Sequence, residues 1–205
     1  IEEQAEWQVE PGLAFIEDAG NFNSAVGMEF FHHSPEKATD PLYVVTELRG
    51  RIHLVLQNGQ TVEIQQDETI LTPEKELPDF DGENGQIGAC LSQDDRYLFT
   101  TGVFMDGWKK INKITRWKPA PGSNWRQIIK DKQLIAPFEK DATGNAHQIG
   151  HCLIDENNHL WVGTGDGHKP KATHLAEQSN GKIYRMTLDF KGVADNPFYD
   201  KQSPF

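Results

Sequence analysis

The feature that most constrains this chain is an internal repeat. The segment QIGACLSQDDRYLFTTG begins at Gln86, and a matching segment, QIGHCLIDENNHLWVGTG, begins at Gln148, an offset of 62 residues. A weaker third copy lies earlier, where Gly27 in SAVGMEFF leads after an insertion to PLYVVTE. Each copy is an apolar run, a polar turn and a second alternating run, which is the pattern of paired β-strands. A period of about 60 residues made only of strands indicates blades of a β-propeller.

The chain length limits how much of a propeller these repeats can build. The 205 residues hold about three such units, whereas propellers close with roughly four to eight blades. We therefore predict an all-β fold of about three four-stranded antiparallel sheets in one partial-propeller domain, 1–205, with repeats at about 23–72, 83–138 and 145–198. Closing the ring requires either further sequence or a second chain. The absence of an initiating Met before Ile1 suggests a trimmed or processed sequence.

Turn signals divide the repeats into strands. Asn58-Gly59 separates RIHLVLQ (51–57) from TVEIQQ (61–66), and Asn-Gly favours a type I′ hairpin turn with two positive φ angles. Pro121-Gly122 marks a second turn. WQVEPGLAFIEDA (7–19) is predicted to add one early strand. Because no stretch shows sustained helical periodicity, we expect little helix.

The charge and the apolar runs exclude some classes of function. The formal net charge is −11 and the isoelectric point is about 5.1, and an acidic surface repels phosphate backbones, so we expect no nucleic-acid partner. No apolar run approaches the roughly 20 residues that span a bilayer. No signal peptide is visible, although a mature exported chain would have lost it.

The two cysteines, Cys90 and Cys152, occupy equivalent positions in two repeats. A disulfide needs Cα atoms within about 7 Å, whereas facing sheets pack about 10 Å apart. We therefore expect two buried thiols rather than a disulfide, and the cysteines alone do not indicate a cellular compartment.

Two residues of the third repeat have the chemistry of a catalytic pair. His147 stands before the first strand, where the second repeat has Gly85, and Asp166 lies in the turn after the second strand. Neighbouring antiparallel strands bring the start of one beside the end of the next, so the two side chains are predicted to meet at one rim. Histidine, with a reference pKa of about 6.5, can act there as a general base oriented by the carboxylate. The pattern equally allows a loop histidine and an Asp-Gly turn residue that satisfies its own backbone.

Two further polar residues are candidates for substrate binding. Glu83, in DGENG (81–85), precedes the matching strand of the second repeat, and Gln148 follows His147. Glu83 can equally be a solvated loop carboxylate. We predict no metal site: the histidines lack a recognised ligand spacing, and the adjacent His151 and Cys152 point to opposite faces of a strand.

Four segments, in order along the chain, match motifs of a known family. They are LYVVTELRGRIHLV (42–55), DGENGQIGACL (81–91), HQIGHCLIDENNHLWVGTGDG (147–167) and NGKIYRMTLDFKGVADNPF (180–198). They are similar to the family motifs VTE…GRI, GE.GLLG, H.GG…GPDG.LYV..GDG and GKILRI…DNPF. The chain thus resembles the N-terminal half of the soluble glucose/sorbosone dehydrogenases, six-bladed β-propellers that use pyrroloquinoline quinone (PQQ) and calcium.

The resemblance implies roles for the candidate residues. His147 falls on the family's catalytic base, which takes the proton of a sugar hydroxyl as hydride moves to the quinone. Asp166 falls on the partner of that histidine, and Glu83 falls on a Gln/Glu that lines the substrate pocket. The family also implies an exported protein, either periplasmic or secreted.

The chain departs from the family pattern at several positions. Ala146 replaces an acidic residue, Ile149-Gly150 replaces the Gly pair after the histidine, and 155–158 (DENN) replaces the GPDG turn. The family's Arg-Asn-Pro segment, calcium-binding carbonyls and quinone-clamping basic residues come later than Phe205. PQQ is polyanionic, and without those cations and the metal this chain would not hold it.

These observations leave two functions and one assembly open. The chain is part of a PQQ-dependent dehydrogenase of an aldose or related sugar, or it is a non-catalytic propeller module that has lost the quinone site. Two such half-rings, in addition, can pair to close one propeller and bury their open edges.

Overall fold

The chain folds into three β-sheets. The computed structural model describes residues 11–12, 19–66, 85–106, 109–135, 146–168, 170–173 and 179–197, and among these there is one 3₁₀ turn, Pro170–Ala172, and no α-helix. The first sheet contains β1 (Ala25–Phe30), β2 (Pro41–Glu47), β3 (Ile52–Leu56) and β4 (Thr61–Glu63). The second contains β5 (Gln65–Gln66), β6 (Gln86–Leu91), β7 (Leu98–Asp106), β8 (Lys109–Pro119) and β9 (Gln127–Leu134). The third contains β10 (Ile149–Ile154), β11 (His159–Thr164) and β12 (Ile183–Thr187).

The first and third sheets are meanders, as expected for propeller blades, and the second is a meander of β6 to β9 with β5 added parallel at its outer edge. The strand orders are β1-β2-β3-β4, β5-β9-β8-β7-β6 and β10-β11-β12, with sequential neighbours antiparallel. The all-β prediction is confirmed, with four, five and three strands in the described residues rather than four in each sheet. The repeat boundaries stay a prediction.

The segment predicted as one strand at 61–66 is divided between two sheets. β4 closes the first sheet, while β5 pairs parallel to β9, with Gln65 beside Gln127. Ile64 lies between β4 and β5, is 3% exposed and packs in the core between the two sheets. Ile64 thus lies at the point where the chain leaves the first blade and joins the outer edge of the second.

Alternation along the strands gives the middle sheet two buried faces. Val44, Leu54 and Ile52 of the first sheet pack against Leu91 and Trp117 of the second. A separate core fills the space between the second and third sheets, and its members include Phe99, Ile114, Leu160, Val162 and Met186. Each large side chain buried this way contributes about 1.5–3 kcal/mol, so the sheets are held face to face like blades.

The innermost strands β1, β6 and β10 approach one another closely. The repeated glycine of β6, Gly88, lies against β10, and a Cβ placed on it would come 2.8 Å from the Cα atom of His151. Beside this contact Cys90 and Cys152 form a disulfide, with Cα atoms 5.7 Å apart. The prediction of two unpaired thiols was wrong, because the sheet-packing distance of about 10 Å does not apply where wedge-shaped blades converge on their axis.

The Asn58-Gly59 hairpin is present with a different turn. Only Gly59 has a positive φ, 78°, and its amide donates to the Leu56 carbonyl at 2.8 Å. The predicted type I′ turn is therefore wrong. A turn closed by one left-handed glycine, as in three-residue hairpin loops, takes its place.

Some apolar side chains on the outer faces of the first and third sheets are exposed within the described residues. Met28 and Phe30 on β1 are 57% and 52% exposed, and Leu153 on β10 and Ile183 on β12 are 63% and 77% exposed. The three sheets do not close into a ring.

The early strand predicted at 7–19 lies outside the described residues apart from 11–12 and 19. No helix in the described ranges is long and apolar enough to cross a membrane.

Candidate active site

A residue with a positive φ angle precedes the innermost strand of each of the three sheets. Ser24, Gly85 and His147 precede β1, β6 and β10 and have φ angles of 55°, 139° and 58°. Their carbonyl oxygens accept hydrogen bonds from the amides of Leu48 (2.9 Å), Val103 (2.8 Å) and Gly167 (2.8 Å). The turn at this residue is therefore part of the scaffold, and the third blade uses it to present an imidazole.

The structure brings His147 and Asp166 together, as the antiparallel pairing predicts. His147 lies just before β10 and Asp166 just after β11, and Nδ1 of the histidine is 2.8 Å from Oδ1 of the carboxylate. Their side chains are 51% and 30% exposed. The pair thus lies at a rim that solvent and a ligand can reach, and its catalytic role stays a prediction.

The charge of Asp166 selects the tautomer of its partner. The hydrogen bond with the His147 ring is the largest of the effects that lower the pKa of Asp166, followed by the hydrogen bond from the His168 amide. A carboxyl group with a lowered pKa is ionised at neutral pH and only accepts hydrogen bonds. Nδ1 of a neutral His147 therefore carries the proton and Nε2 has the lone pair, as a base-and-orienter pair requires.

Gly165 leaves room for the backbone of His147. A Cβ on Gly165 would lie 2.4 Å from the His147 carbonyl oxygen. In the second blade, a Cβ on Gly102 would lie 2.5 Å from the carbonyl oxygen of Gly85, the residue equivalent to His147. The same close contact thus supports the turn in two blades, and it explains the glycine that ends the repeated segment.

The side chain of Gln148 lies inside the protein, 8% exposed. Its Nε2 donates to the carbonyl of Ala146 at 3.1 Å, and its Oε1 accepts from Nδ2 of Asn112 at 3.2 Å. Oδ1 of Asn112 in turn accepts from the amide of Ile149 at 3.1 Å. These bonds tie the start of β10 to β8 of the second blade. Substrate binding by Gln148 stays a prediction, and Glu83 lies outside the described residues.

Two neighbours of the pair were not singled out from the sequence. Asn180, 3% exposed, donates through Nδ2 to the backbone carbonyl of Asp166 at 3.4 Å. The imidazole of His168 stacks on that of His147, with ring centroids 4.4 Å apart and an angle of 17° between the planes. Asn180 begins the NGK segment that matches a family motif, and this match was the sequence signal for it. For His168 the sequence offered no signal other than its position two residues after Asp166.

Part of the DNPF motif supports the third blade. Nε of Arg185, on β12, donates to Oδ1 of Asn196 at 2.8 Å, and the guanidinium group also pairs with Asp195. Nδ2 of Asn196 donates back to the Arg185 carbonyl at 2.8 Å. Asp195 and Asn196 therefore hold the chain after β12 against that strand of the third sheet.

The described residues do not fit a calcium ion or a polyanionic quinone by themselves. Among them no group of three or more His, Cys, Asp or Glu side chains is placed to hold a metal. Lys182, a cation of the segment that follows β11, donates through Nζ to the carbonyls of Thr173 and Asn180 at 2.5 and 3.2 Å.

The fold and the rim define part of a β-propeller that carries a histidine–aspartate pair. The glucose/sorbosone dehydrogenase family model matches residues 33–204, and the chain belongs to that family. No curated protein shows significant sequence similarity to it.

Solved structures of propellers resemble the chain over about half of their length. The PQQ-bound form of aldose sugar dehydrogenase from Streptomyces coelicolor is 23% identical with a TM-score of 0.66, covering 91% of this chain and 51% of that one. A putative oxidoreductase (glucose dehydrogenase) from Thermus thermophilus is 18% identical with a TM-score of 0.65, covering 89% and 49%. The apo form of soluble aldose sugar dehydrogenase from Escherichia coli is 13% identical with a TM-score of 0.65, covering 89% and 49%. At these identities the likeness establishes the fold.

Proposed function

We propose that this chain is the part of a sugar dehydrogenase that carries the proton-accepting residue, and that the whole protein oxidises an aldose or a related sugar. The observation that supports this best is the 2.8 Å contact between His147 and Asp166 at the solvent-accessible rim. Family membership supports the substrate class, because the matching family is that of glucose and sorbosone dehydrogenases.

The chemistry of His147 follows from its hydrogen bond. Oxidation of a sugar hydroxyl to a carbonyl removes a proton from oxygen and a hydride from carbon. Nε2 of His147 accepts the proton, and the carboxylate of Asp166 keeps Nδ1 protonated and stabilises the imidazolium ion that forms. Glu83 and Gln148 are assigned to sugar binding.

The hydride requires an acceptor that other residues of the whole protein hold. PQQ with calcium, held by those other residues, would supply this acceptor, as the motif resemblance implies, and the PQQ-bound relative from Streptomyces supports the quinone. The described residues supply the base and its orienting carboxylate.

An exported location is consistent with the cross-link between blades. The Cys90–Cys152 disulfide joins two innermost strands, and disulfides persist mainly in oxidising compartments. We therefore propose that the protein works in the periplasm or as a secreted enzyme.

The test is dye-coupled sugar oxidation by the full-length gene product with PQQ and calcium. His147→Asn keeps a residue that tolerates a positive φ but removes the base, and we expect kcat to fall about 10²–10⁴-fold. His159→Asn, at the start of β11 and so at the end of the β10–β11 hairpin away from His147, is the matched control and should keep full activity.

Two results would overturn the proposal. One is full activity in His147→Asn. The other is a full-length protein that oxidises no aldose and whose melting temperature PQQ does not raise, which identifies the non-catalytic propeller module instead.

A further inference from the structure

The ring of His168 has a defined place beside the proposed base. Its imidazole lies parallel to that of His147, at 4.4 Å between centroids and 17° between planes. Offset or parallel stacking of flat rings at this distance is an attractive arrangement.

The backbone holds that ring in position. Oδ1 of Asp166, which contacts the His147 ring, also accepts from the amide of His168 at 3.0 Å. The amide of Gly167 donates to the His147 carbonyl at 2.8 Å. His168 has a φ of 62°, which turns the chain back toward His147. The segment 166–168 thus binds both the ring and the backbone carbonyl of His147, and it places a second ring against the first.

The stacked ring adds a contact of a different kind to the hydrogen bond between Nδ1 of His147 and Asp166. The His147 side chain is 51% exposed, and a hydrogen bond to one ring atom does not by itself prevent a ring from tilting about that bond. A flat neighbour against one face removes this freedom, and it holds Nε2 in one direction.

We propose that His168 is a positioning residue for His147, acting through the stacked ring rather than through its own proton chemistry. This inference rests on the proposed function of His147 for its kinetic consequence, and on the stacking geometry alone for its structural consequence.

Two variants separate the ring from the backbone. His168→Asn keeps the amide that binds Asp166 and a residue type that tolerates positive φ, but it removes the ring. His168→Phe restores a flat ring without an ionisable group, and Trp125 and Phe190 of this chain already adopt φ angles of 68° and 63°.

The full-length protein is used for both measurements. In His168→Asn we expect kcat to fall about 10- to 100-fold with little change in KM, as for a misplaced catalytic group. We expect His168→Phe to recover most of kcat. Imidazole ¹⁵N NMR should show altered His147 ring signals in the Asn variant and nearly unchanged ones in the Phe variant.

The outcomes are distinct from those that test the base itself. Unchanged kcat and unchanged His147 signals in His168→Asn overturn the inference while leaving His147 as the base. A Phe variant as impaired as the Asn variant also overturns it. If the protein oxidises no sugar at all, the NMR comparison still decides whether His168 orients the His147 ring.

Discussion

At the scale of single residues, the proposed base depends on a neighbour that has no side chain. Gly165 follows β11 and packs on the His147 carbonyl, and the equivalent Gly102 packs on Gly85. The left-handed turn at His147 is thus stabilised by a close backbone contact as well as by the amide of Gly167. Any side chain at position 165 must displace the backbone that presents the imidazole.

Gly165→Ala is expected to destabilise the protein by about 1–3 kcal/mol, because its Cβ would meet a backbone oxygen at 2.4 Å. Gly163→Ala, two residues earlier in β11, is the matched control because a Cβ there meets nothing within 4 Å. We expect the control to change the unfolding free energy by less than about 0.5 kcal/mol. Urea denaturation of both variants measures the difference, and equal stabilities would contradict this account of the turn.

At the scale of elements, a single carboxylate joins the first two blades at the end opposite His147. Asp95, in the turn between β6 and β7, accepts hydrogen bonds from the amides of His32 and His33 at 3.0 and 2.8 Å. Their Nδ1 atoms lie 2.9 and 2.6 Å from the same carboxylate. Burial by itself would raise the pKa of Asp95, but these four contacts outweigh it and lower the pKa.

This junction predicts a pH-dependent stability. A carboxyl group with a lowered pKa stabilises the fold fully above its ordinary pKa of about 3.9, and it loses that contribution as the pH falls through the folded value. Asp95→Asn keeps a residue suited to the φ of 54° and should cost about 1–3 kcal/mol at pH 7.

Urea midpoints measured at about pH 7 and about pH 3 test this effect. We expect the gap between wild type and Asp95→Asn to narrow at the lower pH, since the unfolded wild-type chain then takes up a proton at Asp95 that the folded state, with its lowered pKa, resists. Glu156→Gln, in an exposed turn, serves as the control. A gap that stays constant from pH 7 to pH 3 would show that the carboxylate charge does not hold the blades.

At the scale of the whole molecule, the disulfide connects positions 62 residues apart in the sequence. A cross-link closing a loop of that length restricts the unfolded chain and is expected to contribute about 4 kcal/mol in the chain-entropy treatment. Replacing both Cys90 and Cys152 with Ala should therefore lower the unfolding free energy by about 2–4 kcal/mol. Guanidinium denaturation with and without a reductant provides the measurement.

Reductant should weaken the wild type and leave the double variant unchanged. If titration instead finds two free thiols in the unreduced wild-type protein, Cys90 and Cys152 do not form a disulfide and the cross-link does not exist.

Exposed apolar side chains on the outer faces of the first and third sheets are a property of the whole molecule. Met28 and Phe30 on the first sheet, and Leu153 and Ile183 on the third, present apolar side chains where a closed propeller would have neighbouring blades. The chain spans about half the length of the solved relatives. Both facts agree with a part of a ring, and closure by further sequence or by a second chain stays a prediction.

The sequence by itself determined the repeat, most of the strands and the rim at which His147 and Asp166 were expected to meet. Alternation and turn residues are local, and the antiparallel pairing of β10 with β11 places the two ends of a hairpin together wherever it occurs. The turn at Asn58-Gly59 marks the limit of such reasoning, because a hairpin was predictable whereas the number of left-handed residues depended on its loop length.

Only the tertiary structure decided what happens between blades. The Cys90–Cys152 distance depends on how far two sheets converge at the axis, and the burial of Gln148 depends on Asn112 of another blade. Stacking of His168 on His147 depends on two left-handed residues in separate loops. These features arise from the packing of distant segments, and no periodicity within one strand encodes that packing.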